Sequence, residues 1–338
     1  MNSSRTEGCT LTGALTVTMA VTDGITIIHG PDGCAHHTTS LLHALQVDHD
    51  RLFSPIILSS SLTESEIIFG GEEALGKAIR SAVARKPGLI CVLTSCVSAA
   101  IGDDVQSVCN SSHCPDIIVV PTGGFLGGGF SEGVEQALLA LSVLGGSGSE
   151  PDGSVTLIGE KNLEYEVDAH YRELSRLLSL LGIHIRLRFI RNVSTAALSQ
   201  LGSGSLNILR DHSLEEVGES FRRRFGTPYI PSFPVGFSGT LRFLEQVGEQ
   251  LGIDSRQAVK TERENQEQLI GNFRDLRGAN VSFYGLSSSA LPLSEELIQR
   301  FDLRPGTAGF TCSIPDPLPV GTAGLSRMLH RWRRVCRA

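Results

Sequence analysis

The chain has 338 residues, of which 41% are hydrophobic and 19% charged, the composition of a soluble α/β protein with room for two or three domains. A net charge of −7 and a pI near 5.8 argue against nucleic acid or an anionic membrane as its main partner. No apolar run approaches the roughly 18 residues that cross a bilayer, and the polar start MNSSRTEGC lacks the apolar segment of a secretion signal. We therefore expect a cytoplasmic protein without membrane contact, whose eight cysteines are thiols or metal ligands rather than disulfides.

Strands and helices alternate through residues 1–146, the first predicted domain. Short runs rich in β-branched residues end in Gly or Pro turns, and segments with helical periodicity follow them, a pattern typical of a parallel, doubly wound sheet. The predicted elements in chain order are helix Leu11–Val21, strand Ile25–His29, helix Ala35–Gln46, strand Ser54–Ser60, helix Glu72–Arg85, strand Leu89–Leu93, helix Cys96–Val108, strand Ile117–Val120 and helix Ser131–Val143.

A linker of Gly, Ser, Pro and Asp, residues 144–154, leads to a second predicted domain at residues 155–276. Residues 277–338 open with another strand, Asn280–Tyr284, but are too few for a complete third sheet. They end in a basic amphipathic segment, RMLHRWRRVCRA, which we expect to cover a core or a partner. The sequence therefore predicts repeated Rossmann-like domains with doubly wound parallel sheets, the third domain being truncated.

Three cysteines lie at the ends of predicted elements. Cys34 follows the strand and turn ITIIHGPDG, Cys96 follows LICVLTS, and Cys9 precedes the apolar segment that starts at Leu11. Ligands collect outside the carboxyl ends of parallel strands, so these matching exits predict one shared site for a soft metal. Thiolates select zinc, Cu(I) or iron–sulfur clusters. The wide spacing of the three cysteines matches no compact zinc or ferredoxin pattern, so spacing alone leaves the metal open.

Other motifs favour structural roles. The segment GEEALGK, residues 71–77, has the glycine and lysine spacing of a P-loop, but Ala78 replaces the Ser or Thr that binds Mg²⁺, so we expect a helix without nucleotide. Cys91 in mid-strand is expected to be a small buried side chain. Cys109 and Cys114 lack the second ligand pair of a zinc knuckle. The glycine loop at 123–129 is interpreted as a turn rather than a cofactor contact.

Four histidines cluster around Cys34 and remain candidates for a proton donor or a ligand. They are His29, His36, His37 and His43.

Five segments, in this order, carry a resemblance to a known family. They are CTLTGA (9–14), HGPDGCA (29–35), SSSLTESEIIFGGEEAL (59–75), TSCVSAAIGDD (94–104) and VPTGGFLGG (120–128). Together they resemble the nitrogenase component 1 superfamily, which includes nitrogenase α and β chains, the cofactor-scaffold pair, and the dark-operative protochlorophyllide and chlorophyllide reductases. Similarity in IGEKNL (158–163) and in residues 225–252 extends the resemblance over about residues 8 to 275.

The resemblance implies that Cys9, Cys34 and Cys96 bind an iron–sulfur cluster at a subunit interface. This would be a [4Fe–4S] cluster, as in the reductases and scaffolds, or a larger one like the P-cluster. It also implies a homodimer or a heterodimer with a homologous subunit, and an ATP-dependent iron–sulfur reductase partner that carries the P-loop and delivers electrons. Three cysteines leave the cluster one ligand short, so the partner, another side chain or solvent must supply the fourth.

One departure from the family bears on function. Nitrogenase α chains hold their catalytic metal cluster with a cysteine in the second domain, whereas the matching segment LNILRDHSLEE (206–216) has Arg210 and Asp211 there. We therefore do not expect a dinitrogen-reducing cofactor held in the usual way. The sequence favours an oxidoreductase subunit that passes electrons to an unassigned substrate. The alternatives are a scaffold that matures a metal cofactor and a structural subunit that supports a complete paralogue. Asp103 and Asp104 are expected to flank the cluster or to mark where the reductase docks.

Overall fold

The computed structural model describes residues 8–48, 55–112, 116–124, 128–146, 152–306 and 309–336. The chain divides into two compact units, one formed by Met1–Tyr165 with Arg186–Pro231 and the other by Glu166–Ile185 with Ser232–Ala338. Each of the three predicted domains contains one sheet, and the first two sheets belong to the same compact unit. The domain boundaries at residues 146, 155 and 277 stay a prediction. Among the described helices, none is long and apolar enough to cross a bilayer.

The first sheet has four parallel strands in the order β2-β1-β3-β4. They are β1 (Gly24–His29), β2 (Ile56–Ser59), β3 (Leu89–Thr94) and β4 (Ile117–Val120). The central strands β1 and β3 are almost wholly buried, as expected for a parallel sheet covered on both faces. His29 pairs with Thr94, so the carboxyl ends of β1 and β3 lie side by side at one edge.

Seven helices in the described part of the chain accompany this sheet. They are α1 (Thr10–Thr18), α2 (Asp32–Asp48), α3 (Glu64–Phe69), α4 (Glu72–Val83), α5 (Cys96–Ile101), α6 (Val105–Ser111) and α7 (Phe130–Ser142). Two features differ from the prediction. The single helix expected over Cys96–Val108 is divided, because Gly102 adopts a left-handed conformation and Asp104 caps a new helix. Helix α3 lies where a loop was expected, and Thr63 with Glu66 forms its capping box.

The second sheet is also in the first unit, with strand order β6-β5-β7-β8. Its strands are β5 (Val155–Ile158), β6 (Ile185–Phe189), β7 (Leu206–Leu209) and β8 (Tyr229–Ile230), and its chain segment includes helices α8 (Val167–Ser179), α9 (Thr195–Leu198) and α10 (Glu215–Phe225). One continuous apolar core joins Leu15 and Leu93 of the first sheet's layer to Ile158 and Phe221 of the second. This shared core explains why two sheets form one compact unit.

The second unit contains α8 and a small third sheet. Its further elements are α11 (Gly236–Leu251), α12 (Arg256–Asn272), β9 (Asn280–Phe283), α13 (Leu291–Phe301), β10 (Arg304–Pro305), β11 (Phe310–Cys312) and α14 (Gly321–Cys336). The strands are parallel in the order β10-β9-β11, so the truncated third domain still forms a sheet. The basic C-terminal segment is α14, which buries Leu325, Leu329 and Trp332 in the core of this unit, as predicted.

The crossing of α1 and α7 depends on two glycines. A Cβ at Gly13 would lie 1.9 Å from the carbonyl oxygen of Phe130, and one at Gly133 would lie 1.9 Å from the carbonyl oxygen of Thr10. A backbone carbonyl inside a helix cannot move aside to relieve such a clash, whereas the end of a flexible side chain can. The two helices approach this closely only because both positions lack a side chain. Since α1 starts directly after Cys9, this crossing also fixes the position of that cysteine.

We predict that Gly133→Ala lowers the free energy of unfolding by about 1–3 kcal/mol, the usual cost of overpacking. The control is Gly76→Ala in α4, where the nearest atom to the new Cβ is the flexible end of Arg80 at 3.3 Å. That change should be neutral or stabilise the protein by up to about 1 kcal/mol, because Ala favours helix more than Gly. Urea unfolding of the metal-free protein measures both. Equal effects of the two substitutions would contradict the close-packing argument.

Candidate metal centre

Cys9 is the N-cap residue of α1 and is exposed. Its sulfur lies 3.6 Å from the Thr12 hydroxyl. A threonine chain ties this end of α1 to the sheet. Thr10 donates from Oγ1 to the carbonyl oxygen of Thr122 at 2.7 Å, and Thr122 donates from its amide and its hydroxyl to Thr94 at 3.0 and 2.6 Å. Because Thr94 ends β3, the exit of that strand and the start of α1 are held next to each other.

Cys34 lies in the first turn of α2, which begins at Asp32 rather than after the cysteine as predicted. Its thiol is half-buried, and its amide donates to the carbonyl oxygen of Pro31 at 3.0 Å. Hydrogen bonds from Ser61 and Ser59 lower the pKa of the Asp32 carboxyl. The serines at the carboxyl end of β2 are therefore fastened to the turn that presents Cys34.

Cys96 is the first residue of α5 and is also half-buried. The preceding residue, Ser95, caps the helix by accepting the Ser98 amide at 3.2 Å. The Ser95 amide and the Ser98 hydroxyl both donate to the carbonyl oxygen of His29 at 2.9 Å. A Cβ at Gly30 would lie 2.3 Å from the Ser95 hydroxyl, so the exits of β1 and β3 approach closely at a glycine.

The structure brings the three predicted thiols into one electrostatic neighbourhood. Burial raises the pKa of the Cys34 thiol, and the neighbouring Cys9 and Cys96 raise it further. In the described part of the chain, no group of three or more His, Cys, Asp or Glu side chains surrounds a position for a single metal ion. This finding concerns sites for a single metal ion. In an iron–sulfur cluster the thiolate ligands bind different iron atoms and lie further apart, so the finding does not apply to a cluster. Ligation by Cys9, Cys34 and Cys96 stays a prediction.

Of the other described cysteines, Cys336 is exposed on α14, whereas three are buried in the fold. Cys91, Cys109 and Cys312 are buried, and burial raises the pKa of their thiols to about 12, 11 and 12 respectively. Such thiols stay protonated and make poor ligands. The expectation that Cys91 is a small buried side chain is confirmed by its exposure of 0%. Cys114, the second cysteine of the zinc-knuckle interpretation, lies outside the described residues.

The glycine loop and the P-loop-like segment also have structural explanations. A Cβ at Gly123 would lie 2.9 Å from Ala99, and one at Gly124 would lie 2.3 Å from the Thr10 hydroxyl, so these two glycines allow close packing beside α5 and α1. Residues 125–127 of the loop lie outside the described residues. The segment GEEALGK is helical in α4, as predicted, and the Gly71 amide donates to Asp103 at 2.8 Å instead of being free for a phosphate.

The four candidate histidines separate into two kinds. His36, His37 and His43 are exposed on α2, whereas His29 is fully buried. The His29 ring bonds the Ser60 hydroxyl through Nδ1 and the Asp103 carboxylate through Nε2, both at 2.9 Å. Burial lowers the pKa of His29, and Asp103 partly offsets that effect. His29 is therefore held inside the fold.

Both carboxylates expected to flank the site have partners in the protein. One oxygen of Asp103 bonds His29 and the other accepts the Gly71 amide, while Asp104 caps α6 by accepting the Ser107 amide at 2.9 Å. The sequence did not predict that Ser60 bonds His29 or that Gly71 bonds Asp103. The only sequence features that marked these positions were the runs SSS and FGG.

Helix α3 presents an apolar face that sequence reasoning also missed. Ile67, Ile68 and Phe69 are 38%, 71% and 85% exposed. The helix ends at Gly70, and the next residue, Gly71, is bonded to Asp103 at the corner that follows α5. This exposed apolar surface, the α3 face, therefore lies beside the element that begins with Cys96.

At the carboxyl end of β7, where a cysteine would hold a second metal cluster, ion pairs are found instead. Arg210 is 5% exposed, and its Nη2 lies 3.2 Å from both carboxylate oxygens of Glu164. Asp211 lies 3.1 Å from the ammonium group of Lys161. The structure therefore agrees with the sequence in placing charged side chains, and no thiol ligand, at these two positions.

The accessibility of the thiols can be tested in the reduced, metal-free protein. We predict that iodoacetamide modifies the exposed Cys9 and Cys336 first and the half-buried Cys34 and Cys96 next. The three buried thiols should react only on unfolding, because burial blocks the reagent and suppresses the thiolate. Mass spectrometry of the peptides at successive times gives the order. Labelling of Cys91 as fast as Cys9 in the folded protein would contradict the assignment.

The buried His29 predicts a dependence of stability on pH. Its pKa in the folded state is below the ordinary value of 6.5, so the unfolded chain binds more protons between those two values. The free energy of unfolding should therefore fall as the pH drops through about 6.5. Urea unfolding of the metal-free protein near pH 7.5 and 5.5 measures the change, which His29→Gln should reduce and the surface substitution His43→Gln should leave intact. An identical pH dependence in wild type and His29→Gln would refute the assignment.

Comparison with known proteins identifies the family. The model of the nitrogenase component 1 type oxidoreductase family matches residues 9–313. The nitrogenase iron-molybdenum cofactor biosynthesis protein NifE of Clostridium pasteurianum is 28% identical over 304 residues, which are 86% of this chain and 65% of the relative. The nitrogenase molybdenum-iron protein alpha chain of Methanococcus maripaludis is 27% identical over 285 residues, 77% of this chain and 59% of the relative.

A solved structure described as nitrogenase Cp1 at pH 6.5 has the same fold, with a TM-score of 0.67 at 22% identity over 88% of this chain and 60% of that one. This likeness confirms the predicted α/β fold class. The chain spans less than two thirds of the length of each of these relatives. Because the family model covers nearly the whole sequence, the chain belongs to the nitrogenase component 1 type oxidoreductase family.

Proposed function

We propose that this chain is the cluster-bearing subunit of a nitrogenase-like reductase, which accepts electrons from an ATP-dependent iron–sulfur partner and passes them to a substrate. The observation that carries the proposal is the grouping of Cys9, Cys34 and Cys96, three accessible thiols, at one edge of the first parallel sheet. Family membership supports the oxidoreductase class.

The donor set fits an iron–sulfur cluster. All three groups are soft thiols. Burial raises the pKa of the Cys34 thiol, and repulsion from negative charge on the neighbouring Cys9 and Cys96 raises it further. A cationic iron core bound between them would relieve that repulsion, as metal binding stabilises deprotonated ligands. A [4Fe–4S] cluster is the proposed form and a larger P-cluster-like assembly the alternative. When bound, it would supply reversible one-electron transfer.

The chain's own residues prepare this site. Cys9 caps α1, and Cys34 lies in the first turn of α2, so two helix N-termini direct positive partial charge towards the sulfurs. Hydrogen bonds from the Ser95 and Ser98 groups to His29 fix the strand exits. These contacts support a site whose thiols are oriented before metal binds.

A second subunit completes the proposed site. Three cysteines leave one position of the cluster to be filled by a partner residue, another side chain or solvent. Cys9 is exposed, so a facing subunit can reach the cluster. We propose a dimer, with a second copy or a homologous chain. The thiol chemistry agrees with the cytoplasmic setting expected from the sequence.

The α3 face is the proposed docking surface for the reductase partner. It is apolar and exposed, and its C-terminal end is joined through Gly71 to the Asp103 corner next to the cysteine site. A partner seated there would bring its own cluster near the thiols. The ATP chemistry belongs to that partner, since the P-loop-like segment of this chain is the helix α4.

We predict that Phe69→Ala weakens association with the reductase roughly 30-fold, the effect of losing an aromatic anchor worth about 2 kcal/mol. The ATP-dependent rate of cluster reduction should fall accordingly, while direct chemical reduction with dithionite should be unchanged. Tyr165→Ala removes another exposed aromatic ring of the same unit and is the matched control. An unaltered ATP-dependent rate in Phe69→Ala would exclude the α3 face as the docking surface.

A scaffold for cofactor assembly is the second candidate, because several of the relatives are named as iron-molybdenum cofactor biosynthesis proteins. Both candidates use the same cysteines, and they differ in what leaves the site. A reductase subunit passes electrons on and keeps its iron, whereas a scaffold gives up metal to an acceptor protein. The charged residues at Arg210 and Asp211 argue against a thiol-held dinitrogen-reducing cofactor in either case.

Anaerobic purification tests the cluster itself. The proposal requires roughly four irons and four sulfides per [4Fe–4S] cluster, an EPR signal on reduction, and a dimer by native mass. The protein labelled with ⁵⁷Fe is then mixed with the reductase and ATP, or with a cofactor-deficient acceptor protein. Reduction of the cluster with iron retained supports the reductase subunit. Transfer of the label to the acceptor supports the scaffold.

Substitution separates the ligands from the other cysteines. We predict that Cys9→Ala, Cys34→Ala or Cys96→Ala removes most of the bound iron, because an open position exposes the cluster to solvent and oxidation. Cys91→Ala should leave the iron in place and lower the free energy of unfolding by about 1 kcal/mol through lost packing. Iron quantitation and urea unfolding measure the two effects. Full iron content in any of the three ligand variants would remove that cysteine from the proposal.

A further inference from the structure

One buried histidine is hydrogen-bonded to three chain segments around the cysteine site. His29 ends β1 and has no exposed surface. Nδ1 bonds Ser60, which follows β2, and Nε2 bonds Asp103, in the corner between α5 and α6. Its carbonyl oxygen accepts hydrogen bonds from Ser95 and Ser98, at the start of α5. The ring and the backbone of one residue therefore connect three separate chain segments.

The hydrogen bonds also determine the orientation of the ring. The Asp103 carboxylate can only accept, so Nε2 of His29 carries the ring proton and donates a hydrogen bond to it. Nδ1 of the neutral ring then accepts from the Ser60 hydroxyl, whose oxygen accepts the Gly30 amide at 3.0 Å. A neutral imidazole with this tautomer satisfies both neighbours at once. An apolar side chain of similar volume would fill the space but satisfy neither.

The network reaches the turns that carry the cysteines. Gly30, held by Ser60, begins the turn that leads to Cys34, and Asp32 within that turn accepts hydrogen bonds from Ser59 and Ser61. On the other side, Ser95 is bonded to the His29 carbonyl and directly precedes Cys96. Displacement of the ring would therefore loosen the supports of two thiols together.

The same ring is linked to the α3 face. The second oxygen of Asp103 accepts the Gly71 amide, and a Cβ at Gly71 would lie 2.6 Å from Asp103 and 3.1 Å from the His29 ring. Gly71 starts α4 and follows the end of α3 by two residues. The position of the apolar surface relative to the cysteine turns is thus set through His29 and Asp103.

We propose that His29 is a positioning residue, which, with Ser60 and Asp103, holds the turns of Cys34 and Cys96 in the geometry that the bound cluster requires. The inference rests on the proposed function, since it assumes that these cysteines bind a cluster. It differs from a packing role in one respect. A packing role affects the stability of the fold, whereas a positioning role also changes the electronic state of the cluster in molecules that remain folded and loaded.

The test uses full-length protein purified and reconstituted anaerobically as wild type, His29→Ala, His29→Gln and Asp103→Asn. His43→Ala and Asp104→Asn are the matched controls, one an exposed histidine of α2 and the other the neighbouring capping carboxylate. Each protein is measured at equal iron content for its EPR spectrum, its midpoint potential and the rate at which a chelator removes iron.

We expect His29→Ala and Asp103→Asn to shift the EPR spectrum and the potential and to lose iron about tenfold faster, the lower end of the effect of removing groups that orient metal ligands. His29→Gln retains a donor towards Asp103 and should recover part of the wild-type behaviour. Both controls should match wild type. If His29→Ala does not fold, Asp103→Asn carries the test, because it removes the charge and one acceptor without a change of volume.

Wild-type spectra and potentials in loaded Asp103→Asn and His29→Ala would overturn the inference even if the metal-free variants unfold more easily. Absence of a cluster in the wild type would instead overturn the proposed function. The two failures are therefore distinguishable within one set of samples.

Discussion

The parallel pairing of β1 with β3 is the constraint on which the cysteine site depends. Both strands are almost wholly buried, so the apolar layers on the two faces of the sheet enclose this strand pair. The register that places His29 beside Thr94 brings the two following turns together. The threonine chain from Thr94 through Thr122 to Thr10 then adds α1, so the segments that carry the three cysteines are fastened at the same end of the sheet.

In the metal-free chain, burial raises the pKa of the Cys34 thiol and the neighbouring Cys9 and Cys96 raise it further, so ionising the three thiols together is unfavourable. Rigid supports hold the segments that carry them. Close packing at Gly13 and Gly133 holds α1 against α7. Serines at the end of β2 donate hydrogen bonds to Asp32, two residues before Cys34, and the His29 carbonyl oxygen accepts hydrogen bonds from the start of α5 beside Cys96. Such supports are characteristic of sites that must keep their ligands in place when the bound group changes charge.

Much of the fold could be predicted from the sequence because its strands are short apolar runs closed by Gly or Pro and its helices have clear periodicity. The same regular pattern showed that Cys34 and Cys96 follow the carboxyl ends of strands. Helix α3 was missed because its six residues present Ile68 and Phe69 to solvent, against the usual pattern. Strands β10 and β11, of two and three residues, are too short to show alternation. The sequence could not show whether His29 is a ligand or a buried structural residue. Its hydrogen-bond partners Ser60 and Asp103 lie 31 and 74 positions away, and local sequence patterns do not predict contacts at that separation.

The core shared by the first two sheets determines how much chain a working cysteine site needs. All three cysteines precede the linker near residue 146, and a fragment ending there would contain every proposed ligand. Helix α7, however, packs on α10, and Leu138 and Leu141 belong to the same core as Phe221. Ending the chain at the linker would expose that apolar layer to water and favour aggregation. A fragment that keeps the core of the cysteine site intact must therefore reach at least Pro231, where the first compact unit ends.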